Sequence, residues 1–172
     1  FTDALVSKTF AHKQKLSDSP KSTPEEYRAL IAELEEVKTQ ISYPEEIIRI
    51  NRAIAEIEAY KLQNPEKAVE ILESVLDRNK TKSDELGYAK ILLGDITLAY
   101  GDPWEALLYF SQVDKTFGDN EIGQEARYKK AMVAFYQGDF DWAKTQFDVL
   151  KSATSKLISN DAMYMSLVIS DN

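Results

Sequence analysis

This chain of 172 residues lacks or is short of several residue types, and each shortage removes a class of function. It has no cysteine, which excludes disulfide bonds and thiolate metal sites. Its one histidine, His12, lies among lysines, so we expect it to be a solvated helix residue and not a general base. Glycine-rich phosphate loops and clusters of metal ligands are also missing from the sequence. We therefore expect no catalysis, no cofactor and no bound metal.

Long apolar runs and an excess of basic residues are absent too. No run approaches the roughly 20 apolar residues that a membrane-spanning helix needs, so we expect no insertion into a membrane. Lysine and arginine number 21 against 29 acidic residues, which gives a formal net charge of −8. Because nucleic-acid binding requires a basic surface that neutralises phosphates, we expect no nucleic-acid partner.

Glycine and proline are scarce, at six and five residues, and most of them mark helix boundaries. No segment alternates with the period of a strand, and the apolar spacing predicts about nine helices. Thr23, Pro24 and Glu26 form the pattern of a capping box, which predicts a helix start. Residues 80–82 are predicted to be a loop followed by a cap at Ser83 or Asp84. Residues 151–159 are predicted to be a linker, with Asn160 or Asp161 capping the last helix.

One segment occurs twice, as GDPWEALLYF at 101–110 and GDFDWAKTQF at 138–147. Its glycine, aspartate, alanine and phenylalanine match at a constant spacing of 37 residues. A period in this range is typical of helical repeats. In both copies, we expect the glycine to adopt positive φ and the aspartate to cap the following helix. Trp104, which follows the first of these caps, is expected to pack over its turn.

The chain resembles the tetratricopeptide repeat (TPR) family over about residues 47–171. Two units carry the family's small residue, turn glycine, alanine and aromatic positions, and an earlier, weaker unit carries only the last two. These positions are Gly94, Gly101, Ala106 and Phe110, then Ala131, Gly138, Ala143 and Phe147, and Ala68 and Leu72 in the weaker unit. The resemblance implies an all-α fold, an α-α superhelix of stacked antiparallel helix hairpins forming a TPR-like solenoid. It would comprise residues 1–42, a helical extension or degenerate repeat, and residues 43–172, about three repeats with a terminal helix.

The family implies a non-catalytic scaffold that binds a peptide or partner helix on the concave repeat face. Its groove positions fall on Tyr88, Ile91, Asp95, Leu98, Glu125, Tyr128, Met132, Phe135 and Tyr136. Tyr128 and Tyr136 are the favoured exposed contacts, whereas Met132 and Phe135 equally fit a packing role. Asp95 and Glu125 would repel an acidic tail, so a neutral, aromatic or basic ligand segment fits better.

The alternative function is a structural spacer or self-assembly module, with a possible homo-oligomer. Met163, Leu167, Val168 and Ile169 form an apolar stripe that would need a partner helix. The final segment, KLISNDAMYMSLVISDN, is similar to the ends of repeat arrays in bacterial cell-envelope proteins. Because the chain begins at Phe1 and not at methionine, we expect a piece of a longer envelope or periplasmic protein. A third hypothesis is a ligand-responsive regulator whose effector domain lies elsewhere.

Overall fold

Short turns separate nine α-helices in the computed structural model, which describes residues 2–79 and 82–171 and contains no β-strand in these ranges. The helices are Thr2–Asp18 (α1), Pro24–Gln40 (α2), Pro44–Tyr60 (α3), Pro65–Arg78 (α4), Asp84–Ala99 (α5), Pro103–Phe117 (α6), Glu121–Tyr136 (α7), Phe140–Leu150 (α8) and Lys156–Ser170 (α9). The chain divides into two compact units, Phe1–Ala89 and Lys90–Asn172. The division at residue 42 that the repeat pattern suggests stays a prediction.

In the first unit, α1 packs against α2, α2 against α3 and α3 against α4. The predicted capping box starts α2: Thr23 Oγ1 accepts from the backbone N–H of Glu26 at 3.3 Å, and Glu26 Oε2 accepts from that of Thr23 at 2.7 Å. The core is built from apolar residues at helical spacing, with Leu30 and Leu34 of α2 and Ile54 of α3 buried among them. The periodic apolar face therefore forms the interior of this unit.

A buried carboxylate joins α3 to α4 in the same unit. The side chain of Glu58 is 2% exposed and accepts hydrogen bonds from Lys67 Nζ and, at 3.1 Å, from Asn64 Nδ2. A buried charge is costly unless it is paired and hydrogen-bonded, and Glu58 has both kinds of partner. This network fixes the α3–α4 turn, since the Asn64 N–H also donates to the Glu58 carbonyl at 2.8 Å.

In the second unit, α6 packs on α7, α7 on α8 and α8 on α9, and α7 also contacts α9. The two glycine–aspartate turns have the predicted geometry. Gly101 has φ 104° and Gly138 has φ 85°, while Asp102 and Asp139 accept from the backbone N–H groups of Glu105 and Trp142 at 2.9 and 3.4 Å. The repeated turn is therefore a local structure that starts α6 and α8.

The small residue of the repeat pattern also has a packing reason. A Cβ on Gly94 would lie 2.5 Å from Cε1 of Phe110, whose side chain is fully buried. Only glycine allows α5 and α6 to approach this closely at that point. The equivalent aromatic of the next repeat, Phe147, is also fully buried and belongs to the core that α7, α8 and α9 share.

Two predictions about helix boundaries and turns are wrong in this unit. The linker at 151–159 is shorter than predicted, because α9 begins at Lys156 with Ser155 as its N-cap, one turn before Asn160 and Asp161. The cause is tertiary packing, since Ile158 packs against the shared core of α7 and α8 and extends the helix. Trp104 does not pack over its turn and is a largely exposed side chain.

The loop predicted at 80–82 is covered in part. Residues 80 and 81 lie outside the described residues. Ser83 Oγ accepts from the backbone N–H of Leu86 at 3.2 Å, so Ser83 supplies the predicted cap of α5.

Candidate functional site

A groove of about 470 Å³ lies in the second unit, with α7 at its centre and α5 and α9 on its sides. From α7 it takes five side chains spaced so that they share one face of the helix. We call it the acidic groove, and it is lined by Asp95, Leu98, Glu121, Glu125, Tyr128, Lys129, Met132, Ser155, Leu157, Ile158 and Asp161. Its volume is within the range of ordinary ligand sites.

The start of α7 is held in place by a cap and a buried amide. Asn120 Oδ1 accepts from the backbone N–H of Gly123 at 3.0 Å, which caps the helix. The side chain of Gln124 is buried and donates through Nε2 to the carbonyl of Asp119 at 2.8 Å. Its Oε1 accepts from the backbone N–H of Thr154 at 3.1 Å, just before α9. Gln124 therefore positions α9 against α7, a role that the sequence analysis missed.

One ion pair crosses the groove from α7 to α5. Lys129 Nζ lies 2.9 Å from both carboxylate oxygens of Asp95 and 3.9 Å from Glu125 Oε1. Burial raises the pKa of Asp95 above its ordinary value, and the charge and hydrogen bond of Lys129 oppose this only in part. Lys129 is thus engaged by a carboxylate of its own chain.

The floor of the groove is aromatic and apolar. The Tyr128 ring packs against the buried Phe147, with 5.6 Å between ring centroids. Burial raises the pKa of the Tyr128 hydroxyl, and the negative charge of Asp161 acts in the same direction. Tyr128 therefore stays a neutral phenol at ordinary pH, and it contacts the core as well as lining the groove. Met132 is likewise shared between the groove lining and the core.

Five of the nine sequence-predicted binding residues line this groove: Asp95, Leu98, Glu125, Tyr128 and Met132. Ile91 is only 3% exposed, so it is a core residue, and the expectation that it lines a groove is wrong. Apolar residues occur on several faces of α5, and Ile91 lies on a face that is buried.

The three other predicted residues lie apart from the groove lining. Tyr88 belongs to the first unit, where the guanidinium carbon of Arg52 lies 5.3 Å from its ring centroid. Phe135 and Tyr136 lie at the end of α7, and Phe135 makes edge contacts with the rings of Tyr136 and Phe140 at 5.6 and 5.4 Å. Tyr136 is 75% exposed, as expected, but on this aromatic cluster and not in the groove.

Six lining residues were absent from the predicted site: Glu121, Lys129, Ser155, Leu157, Ile158 and Asp161. Four of them come from the start of α9 and the residue before it, which the sequence analysis assigned to a linker or a cap. The spacing of Leu157, Ile158 and Asp161 is that of one helix face, so a helix starting at Ser155 was the signal that could have found them.

Two further cavities lie in the first unit. One, of about 330 Å³ between α1 and α2, contains His12, whose Nδ1 lies 2.9 Å from Glu33 Oε2. The other, of about 640 Å³, lies between α2, α3 and α4. Among residues 2–79 and 82–171, no group of three or more histidine, aspartate and glutamate side chains is arranged to hold a metal ion. Within the same ranges, no helix has the length and apolar character needed to cross a membrane.

Solved structures of TPR-like proteins match this fold. A kinesin light chain-like protein with nearly identical TPR-like repeats from Podosopora anserina superposes with a TM-score of 0.69 at 14% identity, over 99% of this chain and 87% of that one. BtubC (BKLC) from P. vanneervenii gives 0.65 at 12% identity, over 99% and 83%. YrrB, a TPR protein with an unusual peptide-binding site, gives 0.57 at 20% identity, over 86% and 69%.

No protein-family model matches the sequence, and no curated protein matches it either. At identities of 12 to 20%, the structural likeness concerns the fold alone. The predicted fold class, an all-α TPR-like solenoid, is confirmed at that level. The chain thus has the fold of TPR-like repeat proteins.

Proposed function

We propose that this chain is a non-catalytic interaction scaffold that binds a peptide segment of a partner protein in the acidic groove. The observation that carries the proposal is the convergence of side chains from α5, α7 and α9 on one open groove with an apolar floor. Tyrosine, methionine and leucine side chains offer large contact area at modest entropic cost, which suits peptide binding. The charged rim would fix the orientation of the segment.

The comparison with YrrB supports the proposal only as an analogy, since its peptide-binding site is a property of that protein. Within the groove, Tyr128 and Met132 are the proposed contact residues on α7, and Leu98 and Leu157 are those on α5 and α9. Tyr88, Phe135 and Tyr136 are not part of this proposal, because they do not line the groove.

The test uses a variant that obstructs the groove and a matched variant that does not. Leu157 lines the groove and is 69% exposed, whereas Leu108 on α6 is 55% exposed and lies outside it. Both substitutions to arginine are surface changes, so both variants should fold. A displayed library of random peptides is selected on the wild-type chain and the enriched peptides are then tested on both variants.

We expect the selected peptides to bind the wild type and Leu108→Arg and to lose binding to Leu157→Arg. Peptides that bind all three chains equally would place the site elsewhere. Failure to enrich any peptide would contradict peptide capture.

A second candidate function is self-assembly or a spacer role, and the outward side of α9 favours it. Met163, Tyr164 and Leu167 are exposed large apolar side chains on that helix. Light scattering with multi-angle detection tests self-assembly: a dimer that Leu167→Glu converts to a monomer would support it, and a wild-type monomer would contradict self-assembly. A place in the bacterial cell envelope stays a prediction from the tail sequence.

A further inference from the structure

We propose that the acidic groove selects peptide segments in which a lysine or arginine lies next to an apolar residue. The inference rests on the proposed function and adds the chemistry of the ligand. The cation would lie between Glu121 and Asp161, and the apolar neighbour would pack on Leu98 and Met132. The occupant is thus a basic, partly apolar segment of a partner protein.

The lining of the acidic groove carries a net negative charge. The groove contains four carboxylates and one ammonium group, a formal net charge of −3 within a single cavity. The lining carboxylates are Asp95, Glu121, Glu125 and Asp161, and the ammonium belongs to Lys129. Like charges facing each other oppose binding, so an anionic segment is disfavoured and a cationic one is attracted. The walls are of low dielectric, which strengthens the field inside the groove relative to open water.

The cation within the groove, Lys129, is already paired with a carboxylate of the same chain. Lys129 lies 2.9 Å from both oxygens of Asp95, which neutralises the α5 side of the groove. Glu121 and Asp161 make no salt bridge with any residue in the described part of the chain. Glu121 of α7 and Asp161 of α9 both line the cavity, and we assign them as the joint partners of one incoming cation.

The groove also has an apolar surface beside these carboxylates. Leu98, Met132 and Ile158 line the same cavity, together with the Tyr128 ring. A lysine or arginine carries an aliphatic stem as well as a charged head, and such a stem packs well on an apolar wall. A small hydrated cation would gain nothing from that wall, which is why we assign the groove to a side chain within a peptide.

The experiment compares three pentapeptides, each acetylated, amidated and carrying the same uncharged fluorophore. Their sequences are Ala-Leu-Lys-Leu-Ala and the same peptide with norleucine or glutamate in place of lysine. Dissociation constants are measured by fluorescence polarisation on the full chain. Because the lysine ammonium group would contact two carboxylates at once, we expect the lysine peptide to bind about tenfold more tightly than the norleucine peptide, which corresponds to about 1.4 kcal/mol.

Two charge-neutralising variants are matched to each other. Glu121→Gln/Asp161→Asn removes the two carboxylates assigned to the ligand cation. Glu66→Gln/Glu73→Gln removes the same charge from exposed positions on α4, and Glu66, like Glu121, lies in the first turn of its helix. We expect the first variant to bind lysine and norleucine peptides equally and the second to keep the tenfold preference. Unchanged affinity for the norleucine peptide shows that both variants are folded.

The two ways of failing are distinguishable. If the wild type binds the lysine and norleucine peptides equally well, or if both variants lose the preference alike, the cation assignment is overturned and peptide binding stands. If none of the three peptides binds while peptides selected from the library do, the cation assignment alone is overturned; if the library yields no binding peptide either, the proposed function is overturned with it. A preference that disappears at high ionic strength supports the assignment, because salt screens the contact.

Discussion

Gly123, in the first turn of α7, is a position where one added methyl group should be strongly destabilising. A Cβ at this residue would lie 2.1 Å from the carbonyl oxygen of Gly118, and 2.8 and 2.9 Å from its nitrogen and carbonyl carbon. The obstacle is backbone, so it cannot move aside by a change of rotamer. Gly118 has φ 61° and closes α6, so the α6–α7 turn depends on the contact between two glycines.

Gly123→Ala should lower the free energy of unfolding, because the backbone of α7 must move away from Gly118. A carbon and an oxygen in contact lie at least about 3.3 Å apart, so the gap must open by about 1.2 Å. That shift disturbs the Asn120 cap and the Gln124 bond to Asp119, each contributing about 1 kcal/mol. Overpacking adds about 1–3 kcal/mol, and the higher helix propensity of alanine returns up to about 1. The free energy of unfolding should therefore fall by about 2–4 kcal/mol.

Thermal unfolding followed by circular dichroism measures this change, and a fall in Tm of roughly 5–15 °C is expected. Gly101→Ala is the control, because Gly101 has φ 104° but a Cβ there would meet no atom within 4 Å. It should lose only the roughly 1–2 kcal/mol of a left-handed backbone. A Gly123→Ala variant as stable as the wild type would contradict a steric clash at this position, since helix propensity alone predicts stabilisation.

Two further predictions concern charged side chains that connect helices. Lys67→Met leaves the buried Glu58 carboxylate without its cation and should lower the free energy of unfolding by about 2–4 kcal/mol, measured by urea unfolding. Adding Glu58→Gln to this variant should recover part of the loss. If the effects of the two substitutions simply add, Lys67 and Glu58 are not coupled. Hydrogen bonds from Lys151 and Ser166 lower the pKa of Asp148, so its carboxylate stabilises the fold above the ordinary pKa of about 4. The difference in unfolding free energy between wild type and Asp148→Asn should be under about 1 kcal/mol, because Asp148 and Lys151 are partly exposed. This difference should shrink, and not grow, as pH falls below about 4.

Features that depend on neighbouring residues were predictable from the sequence. The capping box at Thr23 and the turns at Gly101 and Gly138 formed as expected, because each needs only the residues within about one turn. The repeat spacing found the matching aromatic positions, and both Phe110 and Phe147 proved to be fully buried.

Features that depend on distant residues were not predictable in the same way. The start of α9 is set by the packing of Ile158 on a core from other helices, so a local reading assigned its first turn to a linker. That error hid Asp161 and Leu157 as walls of the acidic groove. Ile91 and Leu98 look alike in the sequence of α5, because apolar residues surround that helix and periodicity does not separate its core face from its groove face.

Amide chemical shifts of the chain reveal whether a peptide binds in the acidic groove. Spectra of the ¹⁵N-labelled full chain are recorded with increasing amounts of the lysine pentapeptide. We predict that the largest shifts fall in residues 121–132 of α7 and 155–161 at the start of α9. Shifts confined to α6 and α8, or no shifts at the highest peptide concentration, would contradict it.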